Sequence, residues 1–145
     1  MTVSTESQNP AVPRLVLDTN VLVGAAYAEE SASRRIVEAC LDGELIAVLS
    51  LALRLEYEQI IRQAVRVRGF DDALRRLLDE AEIVEPQQTP RVVPDDPEDD
   101  KLVAVAVAAS AFALITNDRH LLALDPHGPV RIMRPGEFVR LWRTS

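Results

Sequence analysis

Cysteine, histidine and lysine are scarce in this 145-residue chain, which holds one Cys (Cys40), two His and a single Lys, Lys101. A lone thiol excludes an internal disulfide and fits a reducing compartment. These side chains are also too few for a Cys/His zinc site. Aromatic residues make up only 4%, so the chain lacks an interleaved platform for stacking bases, and base-specific readout is not visible. Long apolar runs are absent too. The longest, Leu102 to Ile115 broken only by Ser110, is too short to span a bilayer. The N-terminus lacks a basic region followed by an apolar core. No membrane partner is expected, and the cytoplasm is the expected location. Positive charge is in deficit: 23 acids against 16 bases give a net charge of -7. That balance excludes a general nucleic-acid coat, which needs a basic surface to displace counterions. It leaves room for an enzyme that meets nucleic acid through bound cations.

What is present is an ordinary globular composition, 48% hydrophobic and 27% charged, long enough for one domain that folds without disulfide or metal. Residues 1–13 are polar with Pro10 and Pro13 and read as a loose tail, followed by a single domain over 14–145. Leu15–Leu17, Ile46–Leu49 and Phe112–Ile115 are short continuous apolar runs, the pattern of buried strands, and Val130–Met133 is a last one. Ile83–Val84 is a brief strand candidate. Helical spacing predicts helices over Ser31–Leu41 with Gly43 past its end, from Leu51 to Gly69, and from an Asp71 or Asp72 cap to about Glu82. In the second of these, Leu55, Ile60, Ile61 and Val65 form the expected inner stripe. Asp99–Asp100 opens a buried helix, and Pro135 starts a short one. Glu85 to Asp100, with four prolines, is a loop. Strands alternating with helices predict an α/β fold with a mostly parallel sheet and helices on both faces.

Acidic or polar residues follow these strands directly. They are Asp18-Thr19-Asn20, Glu56 on the helix after Ser50, and Thr116-Asn117-Asp118; a fourth cluster, Asp95 to Asp100, opens a helix. Open parallel sheets bind ligands at the carboxyl ends of their strands. There Asp18, Glu56, Asp99 or Asp100, and Asp118 would converge. Clustered carboxylates repel one another, and a divalent cation relieves that repulsion. Oxygen ligands without His or Cys point to magnesium or manganese. Such an ion suits phosphodiester hydrolysis. Each acid also has an ordinary structural role open to it: helix cap, turn residue or solvated face.

The ordered set Arg14–Val23, Leu49-Ser50 with Glu56–Ile61, Asp96–Val103 and Leu114–Leu122 resembles the PIN-domain family, in particular the VapC-like toxins of bacterial toxin–antitoxin pairs. The resemblance covers nearly all of the chain after the tail. It implies a three-layer α/β/α sandwich and a metal-dependent ribonuclease, often dimeric and inhibited by an antitoxin. By position it implies Asp18, Asp99 and Asp118 as metal ligands, with Asp100 the alternative to Asp99. Glu56 would ligate the ion or orient the attacking water. Asn20 would orient Asp18, with Ser50, Thr116 and Asn117 in support.

Arg62, Arg66 and Arg68, with Arg75 and Arg76, surround Gly69 and could guide phosphate. The alternative is a solvated face paired with Asp71, Asp72, Asp79 and Glu80. Leu51, Leu53, Leu55 and Ile60-Ile61 could in part bind a second subunit or an antitoxin helix, burial within the monomer being the alternative. Two other functions compete: a non-catalytic interaction module on the same fold, and an aspartyl-phosphate or receiver-like domain built on Asp18. Against the latter, Asn20 stands where a second Asp is wanted, and Lys101 opens a helix.

Overall fold

The computed structural model describes residues 12–67, 69–87 and 97–144. Expectations for residues 1–11, Arg68, Asp95 and Asp96 lie outside these. Five strands and seven helices alternate among the described residues: β1 (Arg14–Leu17), α1 (Thr19–Tyr27), α2 (Ala32–Leu41), β2 (Ile46–Leu49), α3 (Leu51–Ala64), α4 (Phe70–Glu80), β3 (Glu82–Ile83), α5 (Pro97–Ala108), β4 (Ala113–Ile115), α6 (Arg119–Leu122), β5 (Arg131–Met133) and α7 (Pro135–Thr144). The sheet order is β3-β2-β1-β4-β5, and every neighbouring pair is parallel. This is the expected three-layer α/β/α architecture. Helix α5 packs on β1, β2 and β4, while α1, α2, α3 and α4 pack against one another.

The continuous apolar runs explain the central strands. Leu15, Val16, Val48, Leu49, Leu114 and Ile115 are all buried, because a parallel strand covered on both faces has no solvent side. Each such side chain contributes roughly 1.5–3 kcal/mol relative to exposure. The strand order reverses between β1 and β4, which pair in the register Leu17 with Ile115. Their carboxyl ends therefore share the crevice where ligands settle in open sheets.

Several local expectations are corrected. A helix, α1, begins at once after β1, over residues for which the sequence predicts no helix. In α3 the buried stripe is Leu53, Tyr57 and Ile61, continued by Val65 just beyond the helix. Leu55 is 67% exposed and Leu51 57%. Their phase on the helix turns them away from the core, and Ile60 is only half-buried. Helix α3 stops at Ala64 rather than running to Gly69. Gly69 itself sits at the N-cap of α4 with φ 85°, a left-handed conformation that glycine adopts without a Cβ penalty. Asp71 and Asp72 accordingly lie in the first turn of α4 instead of capping it. Two caps are conventional: the side chains of Ser31 and Ser50 accept from the amides of Arg34 and Leu53, each at 3.1 Å, worth about 1 kcal/mol apiece.

Candidate metal-binding site

Asp18 follows the last residue of β1 and occupies the N-cap of α1, yet its side chain does not cap that helix. Its backbone N–H donates to the Ile115 carbonyl at 3.0 Å, tying it to the end of β4. One carboxylate oxygen, Oδ2, accepts from the Thr116 hydroxyl at 2.8 Å. The other accepts a longer bond, 3.4 Å, from Thr19. Thr116 is fully buried and its Oγ1 also accepts from the Asp118 backbone N–H at 3.0 Å. One hydroxyl thus sets both Asp18 and the start of the segment carrying Asp118. The Asp118 carboxylate caps α6 through Oδ1, which accepts from the His120 N–H at 2.7 Å.

Helix α3 supplies Glu56 and Tyr57. The Tyr57 hydroxyl donates a short hydrogen bond to the Leu17 carbonyl, the residue before Asp18. Burial, followed by the nearby Asp18 and Glu56 charges, raises the Tyr57 pKa, so the phenol keeps its proton and remains a donor. Glu56 accepts from Lys101 Nζ at 3.1 Å. Helix α5 supplies Asp99 in its first turns, with Leu102, Val103 and Ala106 buried below it.

These groups enclose a polar cavity of about 270 Å³, lined by Asp18, Thr19, Asn20, Leu53, Glu56, Tyr57, Asp99, Leu102 and Asp118. The four acids singled out in the sequence, and Asn20, therefore face one space. Asp100 is as buried as Asp99 but does not line the cavity, because one residue along a helix turns the side chain by about 100°. The other expected supporters fall elsewhere. Ser50 is spent on its cap, and Asn117 is exposed and outside the cavity. Arg62 and Arg66 line a separate groove with Leu55, Glu58, Gln59 and Gln63, and Arg66 donates to the Arg62 carbonyl at 2.6 Å. Arg75 pairs with Asp71 and Asp72, and Arg76 with Glu80, the solvated-face alternative. Lys101 and Tyr57 carry no sequence signal of function at this site, and Leu53 is read there only as core or partner surface.

The donor chemistry suits a hard divalent cation, because the cavity offers carboxylate oxygens and no imidazole or thiolate. Among the described residues, no three such side chains already stand as a closed metal cluster. The acids approach from separate elements instead, which leaves space for the waters magnesium retains. A larger groove of about 430 Å³ runs between Val84–Gln87 and Ala104, Val107 and Ala108. Its one acid, Glu85, is engaged by the Leu51 backbone N–H at 2.9 Å, so it offers no comparable constellation. Burial pushes the Cys40 thiol up to about 12, which keeps it protonated and unsuited to nucleophilic work. No described helix is long and apolar enough to cross a membrane.

A search of curated proteins gave no match to this chain. The family profile described as "PIN domain" matches residues 14–120, more than half of the sequence and all of the cavity-lining residues. The chain belongs to the PIN domain family, whose members are generally nucleases acting on nucleic acid.

Proposed function

We propose that this chain is a magnesium- or manganese-dependent ribonuclease, the toxin of a toxin–antitoxin pair. The observation that carries the catalytic part is the convergence of Asp18, Glu56, Asp99 and Asp118 on one polar cavity at the carboxyl end of β1 and β4. Asp18, Asp99 and Asp118 would hold the ion. When bound, a divalent cation lowers the pKa of its water and offsets charge on the phosphate. The chain's own residues do the positioning. Thr116 fixes the rotamer of Asp18 from beneath, and its acceptor contact with the Asp118 N–H holds the β4–α6 turn. Glu56, at the half-exposed rim, orients the attacking water or joins the ligands. Asn20 lines the same wall, while the hydrogen bonds that orient Asp18 come from Thr116 and Thr19.

The toxin reading rests on the sequence resemblance and on α3, where Leu51 and Leu55 stand exposed on the outer face. Two leucines one helical turn apart suit an apolar partner helix, from an antitoxin or a second copy in a homodimer. Expression alone should arrest growth, and a small protein encoded beside it should relieve the arrest.

The decisive experiment is cleavage of single-stranded and structured RNA with magnesium, with chelator, and with Asp118→Asn. Cleavage in magnesium that chelator abolishes and Asp118→Asn strongly reduces is the expected result. Because the acids leave the cavity negative, chelator should weaken RNA association as well. RNA cleavage that persists in chelator overturns the metal-dependent mechanism.

A further inference from the structure

Lys101 is the only lysine of the chain, and its ammonium donates to Glu56 Oε1 at 3.1 Å. The two side chains are 40% and 38% exposed. Neither arginine nor histidine is among the described residues lining the cavity. A site read as accepting a phosphodiester therefore presents carboxylates on its walls, and Lys101 brings a cation to the rim. An exposed ion pair of this kind is weak and exchanges partners at little cost. A lysine also carries its charge on a flexible four-carbon stem with three donors.

We infer that Lys101 is a movable countercharge that rests on Glu56 and passes to a substrate phosphate when a divalent cation claims Glu56. The inference rests on the reading of the cavity as a metal-dependent nuclease site. Lys101 and the cation compete for one carboxylate, so the lysine lowers cation affinity. Once it leaves Glu56, it supplies a cationic phosphate contact that the described cavity walls lack. Removing its charge should therefore act with opposite signs on two ligands. Cation binding tightens because the cavity becomes more negative, and RNA binding with the cation present weakens. A purely structural role would not produce that pair of effects.

The test uses the full chain as wild type, Lys101→Met and Lys101→Arg. Manganese is titrated without RNA and read by thermal shift. A short fluorescent single-stranded RNA is then titrated in calcium and read by anisotropy. Lys101→Met should bind manganese about fivefold tighter and RNA about fivefold weaker. Lys101→Arg, which keeps the charge, should stay near wild type in both. If manganese does not stabilise wild type, the metal reading falls and this inference with it. If wild type responds and Lys101→Met gives the same manganese curve, this inference alone is overturned. Unweakened RNA binding by Lys101→Met likewise overturns the transfer to phosphate.

Discussion

Asp18 and Asp125 are treated differently by the chain. Asp125 is closed by its own surroundings: Arg131 donates to it through Nε at 3.0 Å and Nη2 at 3.2 Å, and the Ile132 N–H adds a bond of 2.7 Å. Among the described residues, the Asp18 side chain receives only two neutral hydroxyls, one of them distant. An ionised carboxylate has room for about four donors, so Asp18 retains capacity that Asp125 has used. The same contrast separates Glu82, which Arg14 grips through Nε and Nη2, from Asp18. At Asp125 and Glu82 an arginine from the same chain completes the carboxylate. In the cavity no arginine lines the wall among the described residues; Lys101 meets Glu56, and Asp18 keeps room for a ligand from outside.

The strongest way to break this contrast is to remove a cavity carboxylate. Asp18→Asn and Asp99→Asn should each lower RNA cleavage by about 100-fold or more in single-turnover assays, with circular dichroism unchanged. Asp100→Asn, outside the cavity, should keep most activity. A smaller effect is expected one layer deeper. Thr116→Val removes the donor to Asp18 and strands the Asp118 N–H, so manganese affinity by calorimetry should fall about 10- to 100-fold, whereas Thr116→Ser should retain it. The smallest effect belongs to the closed carboxylate: Asp125→Asn should cost about 1 kcal/mol in urea unfolding and leave cleavage intact.

The closed carboxylate also has a pH signature. The Arg131 hydrogen bond, aided by the Ile132 N–H and opposed by burial, holds Asp125 below its ordinary value of 3.8. A depressed carboxyl pKa contributes stability above the unfolded value of about 3.9 and loses it as pH falls through the folded value. Melting temperature followed downward from pH 5 should therefore drop less steeply for Asp125→Asn than for wild type.

The sheet was legible because three of its strands are apolar runs buried on both faces, and a run of that kind has few other homes. Helix α1 was not legible. Val21, Val23 and Gly24 are poor helix formers, and burial of Val21, Leu22, Ala25 and Ala26 overrides that. The outward phase of Leu51 and Leu55 was equally hidden, since leucine alone does not say which face of α3 meets the core. For the site, order and spacing point to the four acids but not to how the hydroxyl beneath them is bonded. Thr116 could be named as a supporter, yet its bond spans 98 positions of chain to Asp18. Asp99 was separated from Asp100 only by helix phase. Asp118 serves in both of the capacities open to it, capping α6 and facing the cavity.

The bond from the Tyr57 hydroxyl to the Leu17 carbonyl joins the residue after Glu56 to the residue before Asp18. It clamps the neighbours of two cavity acids while leaving the acids themselves outside the clamp. Their separation is thus settled during folding, when the phenol is buried, and not when a ligand arrives. Ordering entropy that a looser pocket would lose at the moment of binding has already been lost here. The backbone beside Asp18 and Glu56 should therefore move little when the ion binds, with little heat-capacity change.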